Sequence, residues 1–311
     1  MARHAAALPS TLPAPVFGLR EALALGVCPD RLRRRDVMRI GGQLFARAGQ
    51  EITELDVVAC LCRVHGDAVA CGPTAARLWQ APLPRDLSAW TAGDGVHLLH
   101  PTGSRRPTTL VTWHRGALGP ADMVATTRAR VTSAPRTWAD LAPLLGLDDL
   151  VAVGDCFVRR PRPGLEGRDE PWTTLSALAA AAESHTGRGA RALREALALV
   201  RVGSDSPAET RLRLGCRRAG LPEPLANARI LEDGSDLGEP DLQWRQWKVC
   251  LEHEGPHHLT PAQLTRDIRR AERRHRHGWI EVRTTAPDLA RGGEVGALRA
   301  RDALLRHGWR P

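Results

Sequence analysis

Tyrosine is absent from the 311 residues, and lysine occurs once, at Lys248, so arginine supplies 43 of the 44 basic side chains. That choice of arginine over lysine reads as the codon bias of a GC-rich genome. No apolar run approaches the ~20 residues that a bilayer-spanning helix needs, which argues against a membrane protein. The opening stretch, 1–17, is Ala- and Pro-rich, with too short an apolar run for a signal peptide, so a cytoplasmic location is expected. No C-x₂-C pair occurs; the seven cysteines are odd in number and scattered, and are expected as reduced core residues rather than disulfides or a zinc finger.

What is there is a hydrophobic fraction of 42%, enough for a buried core, and a formal charge of +9. Codon bias does not explain the sign of that charge. A positive surplus suggests a polyanionic partner, most simply nucleic acid; with no spanning run, no membrane partner is expected.

The length favours more than one domain. Residues 1–50 carry a helix pattern at 19–26, a second and Arg-rich helix pattern at 30–39, and a short strand at 43–47 after Gly41-Gly42. Helix, turn, Arg-rich helix and short hairpin outline a winged helix-turn-helix, in which Arg31, Arg33, Arg34 and Arg35 would contact DNA. Residues 51–160 read as a mixed α+β region, with helices at 55–64, from Thr74 (placed as a cap), at 137–145 and at 147–157, and strands at 96–99, 110–113 and 128–132. No cluster of acids or histidines shows there. Residues 161–203 form a Pro-, Gly- and Arg-rich linker with two helices, and a Gly203-to-Pro207 boundary precedes a third domain, 204–311.

The chemistry concentrates in that last part. Ser206-Pro207-x-Glu209 opens a helix, where Glu209 has an ordinary role as a first-turn acid. In a strand over 248–254, Lys248, Glu252 and Glu254 share one face while Val249 and Leu251 face a core. A hairpin would bring Asp241 across to the same place. Asp241, Glu252 and the Leu251 carbonyl are hard oxygen donors suited to Mg²⁺ (or Mn²⁺), which would activate water against a phosphodiester. His257 and His258 follow the acidic strand end and suit acid/base work. Together with His253 and a carboxylate they also offer a zinc alternative. A long Arg-rich helix at 261–276 then supplies Arg266 and Arg270 for DNA phosphates, before a strand and a closing helix. Trp244, Trp247 and Trp279 are expected in the core.

These motifs carry a resemblance. Ser206-Pro207-x-Glu209, Pro240-Asp241, Glu252-His253-Glu254-Gly255-x-x-His258, Arg266-Asp267-x-x-Arg270 and Gly278-Trp279-x-x-Val282-Arg283 resemble the nuclease domain related to very-short-patch-repair endonucleases, in the PD-(D/E)xK, restriction-endonuclease-like group. The resemblance implies an α/β domain with a central mixed sheet flanked by helices. It implies Asp241 and Glu252 as metal ligands, Glu209 in support, and His257 or His258 as acid/base. The pattern's lysine, two residues after Glu252, is replaced by Glu254; Lys248 or a histidine is left to substitute for its charge. Residues 19–47, Thr74-Ala75-Ala76-Arg77-Leu78 and the stretch 131–141 resemble AbiEi-type antitoxins, which bind their own promoter and act with a toxin partner. The expectation is a metal-dependent endodeoxyribonuclease with an N-terminal DNA-binding module. The alternative is an AbiEi-like regulator with an inactive nuclease-like domain.

Overall fold

The computed structural model describes residues 7–101, 108–162, 164, 166–255 and 261–311. The chain is mixed α/β and divides into two compact units, 1–141 and 142–311. The helix at 147–158, grouped with the middle region on sequence, thus lies in the second unit. Among the described residues no helix is long and apolar enough to cross a membrane.

In the first unit, strand β1 (Val16–Gly18) leads into helix α1 (Leu19–Ala24), and β2 (Val37–Gly41) and β3 (Leu44–Arg47) complete an antiparallel sheet of order β1-β3-β2. The Arg-rich helix expected at 30–39 is not formed. Pro29–Arg33 is a short 3₁₀ turn, and the chain is already a strand at Val37. Two local causes suffice. Asp36 accepts hydrogen bonds from Arg31 at 2.9 and 2.5 Å, closing the turn, and Val37 and Met38 pair with Arg47 and Ala46 of β3. A helix would instead stack like charges three and four residues apart. Arg33, Arg34 and Arg35 are therefore exposed on a turn rather than along a helix face, and Arg31 is held by Asp36.

Helix α2 (Glu54–Val64) starts with a capping box in which Thr53 and Asp56 satisfy each other's backbone N–H. Strand β4 (Val69–Ala70) follows, then α3 (Gly72–Leu78), α4 (Arg85–Ser88), β5 (Val96–His100), β6 (Val111–Arg115), β7 (Met123–Ala125), β8 (Arg130–Thr132) and α5 (Ala134–Leu141). The strands form a mixed sheet of order β6-β5-β4-β8-β7. Thr74 does not cap α3: its hydroxyl donates to Glu54 (2.7 Å) and accepts from the His97 N–H (2.9 Å), tying α2, α3 and β5 together.

The second unit begins with α6 (Leu147–Val158), α7 (Leu175–Ser184), α8 (Ala190–Leu199) and α9 (Pro207–Arg218). The strands β9 (Leu225–Ala226), β10 (Ile230–Glu232), β11 (Ser235–Gly238), β12 (Leu242–Trp244) and β13 (Val249–His253) follow; helix α10 (Pro261–Arg276) then leads to β14 (Ile280–Thr284), and α11 (Ala290–Arg306) closes the unit. The main sheet has the order β14-β13-β12-β9; β12 is antiparallel to both neighbours and β14 runs parallel to β13. Period-two alternation sorts its faces. Leu242, Trp244, Val249, Leu251 and Val282 are buried in a core that includes Leu212 and Cys216 of α9 and Ala297, Ala300 and Leu304 of α11. Gln243, Cys250, Glu252, Glu281 and Arg283 occupy the alternate positions. Trp244 and Trp279 are buried and Trp247 partly so, as core residues.

Helices α9 and α11 meet through glycine. A Cβ on Gly215 would stand 2.6 Å from the Gly293 carbonyl oxygen, and one on Gly293, at φ +87°, would stand 2.5 Å from that of Arg211. Gly293→Ala is expected to destabilise the protein by roughly 2–4 kcal/mol, combining left-handed backbone strain with a backbone clash that no rotamer relieves. Urea unfolding measures this, and an unchanged midpoint would contradict the close approach.

Candidate functional site

The β12–β13 register pairs Leu242 with Leu251. One residue further out, Asp241 therefore stands opposite Glu252, as the hairpin argument expects. Asp241 is fixed by its neighbour strand: its Oδ2 accepts a 2.6 Å bond from the His253 N–H. Glu209 enters from the first turn of α9, where Ser206 caps the helix by accepting from the Glu209 N–H at 3.2 Å. The Glu209 carboxylate itself accepts from the Asp205 N–H (2.7 Å) and from the Asn227 side chain (2.6 Å). It is only 6% exposed, more deeply buried than a surface helix-dipole role requires.

The electrostatics tie the three acids together. Burial, and then the charges of Glu209 and Glu252, push the Asp241 carboxyl up to about 8, against the opposing pull of the His253 N–H and Arg162. Burial likewise raises Glu209. Like-charged carboxylates sharing a covered site resist full ionisation unless a cation joins them. Between about pH 4 and pH 8 the folded metal-free protein thus keeps a proton on Asp241 that the unfolded chain releases. Stability from this group is full below pH 4 and is lost as pH rises toward 8, by up to about 1.4 kcal/mol per pH unit. Urea titrations in EDTA from pH 5 to 8 should show the decline, and Asp241→Asn should flatten it.

Cations border these acids. Arg162 lies near Asp241 and Glu209 and is held by Asp205 at 2.5 Å; 60% of its side chain is exposed. Glu252 Oε1 accepts from Arg274 Nη1 at 2.5 Å, with Arg270 Nε at 3.9 Å. Arg274 is completely covered, also donates to the Leu237 carbonyl (2.9 Å) and to Glu281 (2.8 Å), and leaves Nη2 without a hydrogen-bond partner among the described residues.

Other expected residues fall elsewhere. Lys248 stands just before β13 at φ +48°, and its ammonium binds Glu232 and the His277 carbonyl. The single lysine therefore does not supply the charge missing beside Glu252. Glu254 lies just past β13, with its N–H on the Thr284 carbonyl (2.7 Å) and its carboxylate 3.2 Å from Arg283. His257 and His258 lie outside the described residues. Arg266 is exposed on α10.

As donors, Asp241, Glu252 and Glu209 fit a hard cation, which commonly takes one or two protein carboxylates and completes its shell with water. Their ligand atoms do not all close to within 4.8 Å of one another. Among the described residues the group that does is Glu232, Asp233 and His277, at the β10–β11 turn. There Glu232 is already neutralised by Lys248 and accepts from Trp279 Nε1 at 2.7 Å. The first unit also holds a pair that sequence did not reveal. His97 Nδ1 and His114 Nε2 are 2.9 Å apart on adjacent strands, and burial, followed by repulsion from His114 and Arg77, lowers His97 to about 4.

Nor does the sequence mark Arg162, Arg274 and Asn227 as site residues. Arg162 sits in a linker with no periodicity to read. Arg274 did leave a signal, since it lies one helical turn beyond Arg270 on the same face of α10.

No family model matches the chain. It is similar to two uncharacterized proteins of Mycobacterium tuberculosis, Rv2248 of strain H37Rv and MT2308 of strain CDC 1551. Each is 28% identical over 244 residues, which cover 78% of this chain and 82% of the relative.

Proposed function

We propose that the chain is a metal-dependent DNA endonuclease, with the cutting site in the second unit and DNA contacts added by the first. The observation that carries this reading is the apposition of Asp241 and Glu252 across a hairpin, with Glu209 pressing a third negative charge on Asp241. Supporting it, the order of elements (capped helix, antiparallel strands, then a parallel strand reached through an Arg-rich helix) is the one that a PD-(D/E)xK, restriction-endonuclease-like domain would have.

In this reading Asp241 and Glu252 hold Mg²⁺ or Mn²⁺, and Glu209 supports them. Bound there, the ion would lower the pKa of a water and neutralise charge on the scissile phosphate. The chain's own work is orientation and charge placement. The His253 N–H fixes Asp241, Asn227 and the Asp205 N–H fix Glu209, and Arg162 offers a guanidinium at the rim. Arg266 and Arg270 of α10 follow the DNA backbone, His257 or His258 serves as acid/base, and the exposed Arg33, Arg34 and Arg35 add DNA contacts from a turn of the first unit.

Supercoiled plasmid and linear duplex DNA incubated with each ion test this. Nicking or linearisation that needs Mg²⁺ or Mn²⁺ and stops in EDTA is expected. Binding that weakens steeply with salt, without any cutting, would sink the enzyme and leave a DNA-binding regulator.

A specific observation favours that second reading. Glu254 stands where the pattern has lysine, Lys248 is committed to Glu232, and Glu252 is already held by the covered Arg274. A nuclease-like domain kept only for contacts, in an AbiEi-like antitoxin with a toxin partner, would tolerate all three.

A further inference from the structure

A site with Glu254 in the lysine position needs its positive charge from somewhere else. Three guanidinium groups surround Glu252 and Glu254. Arg274 is fully covered and shared among Leu237, Glu252 and Glu281, so no substrate reaches it. Arg283 is committed to Glu281 at 2.8 Å and Glu254 at 3.2 Å. Arg270 differs from both. Its Nε lies 3.9 Å from Glu252 Oε1, its Nη2 is anchored on Asp267 at 2.9 Å, and 34% of its side chain is exposed. Its stem also has a dedicated passage. A Cβ on Gly238, at φ +82°, would stand 2.7 Å from Arg270 Cδ, so β11 ends on a residue whose missing side chain leaves the space that the arginine uses.

We propose that Arg270 is a catalytic residue, supplying from helix α10 the positive charge absent at position 254 and donating to a non-bridging oxygen of the scissile phosphate. The inference rests on the nuclease reading. In hydrolysis a water oxygen bonds to phosphorus and its proton passes to a base. The P–O bond to one deoxyribose breaks, and the departing oxygen takes a proton from solvent. The non-bridging oxygens face Arg270 throughout, where a fixed donor stabilises them without reorganisation. A residue that merely tracked the backbone would need neither the anchor on Asp267 nor the passage over Gly238.

The test compares Arg270→Ala and Arg270→Lys with Arg269→Ala, an exposed neighbour on the same helix. Three quantities are measured: single-turnover cleavage with Mn²⁺, DNA affinity in EDTA, and Mn²⁺ affinity by calorimetry without DNA. Arg270→Ala should cut about 10²-fold more slowly, as when one preorganised donor is lost. Its DNA affinity should stay within about threefold. Its Mn²⁺ binding should tighten about fivefold, because a nearby cation no longer repels the ion. Arg270→Lys should recover part of the rate, and Arg269→Ala should cut at the normal rate.

A structural role would weaken Mn²⁺ binding, and a plain phosphate contact would lower DNA affinity at an unchanged single-turnover rate; either result overturns the proposal. Wild-type protein that cuts while Arg270→Ala cuts equally well removes this inference alone. Wild-type protein that never cuts removes the nuclease reading, and this inference with it.

Discussion

Asp241→Asn is expected to lower metal-dependent DNA cleavage by at least about 10³-fold while leaving the metal-free protein more stable at pH 8 than the wild type. The two effects come from one cause. Asp241 sits under burial and the charges of Glu209 and Glu252, so an ionised carboxylate there is unfavourable until a cation is shared. Asparagine keeps an oxygen for the His253 N–H but removes the repelled charge. It also removes the strongest donor to a divalent ion. Cleavage kinetics and urea midpoints on the same preparations check both halves. A variant that loses cutting together with stability would mean that the residue is structural. One that gains stability and still cuts would move the catalytic centre elsewhere.

Asp155→Ala should be the most damaging single change outside the site, costing about 3–5 kcal/mol. Asp155 of α6 and Arg213 of α9 are each 1% exposed and lie 2.7 Å apart. The same carboxylate accepts from the Thr210 hydroxyl at 2.8 Å and the Arg201 N–H at 2.7 Å. Alanine would strand a buried guanidinium whose remaining charged contact among the described residues is Glu223 at 3.7 Å, and whose Nε has no hydrogen-bond partner among them. In a protein of this size the melting temperature should fall by on the order of 10 °C. Asp155→Leu combined with Arg213→Met should recover much of the loss, because the desolvation cost of both ions disappears with them. A double variant as unstable as Asp155→Ala would show that packing, not charge, dominates there.

The carboxylate hairpin is legible in the sequence because strand alternation is local. Val249 and Leu251 against Glu252 specify which face is core, and Pro240-Asp241 only has to pair with the next strand. The cap at Ser206, the helix at 207–218 and the long helix from 261 follow from equally short-range rules. The Arg-rich helix at 30–39 failed for a reason of the same range. Five arginines have good helix propensity, but the Arg31–Asp36 turn and the pairing of 37–41 with β3 together outweigh it.

By itself, then, the sequence determined the polar and apolar faces of the strands, most helix limits, the basic character and the pairing of Asp241 with Glu252 across a hairpin. Each of these depends on residues a few positions apart. Only the tertiary structure decided which cations meet which acids: Arg274 and Arg270 at Glu252, Arg162 beside Asp241, and Lys248 drawn away to Glu232. Such pairings depend on through-space distance and on burial in a low-dielectric interior, and neither is written in the spacing of residues along the chain.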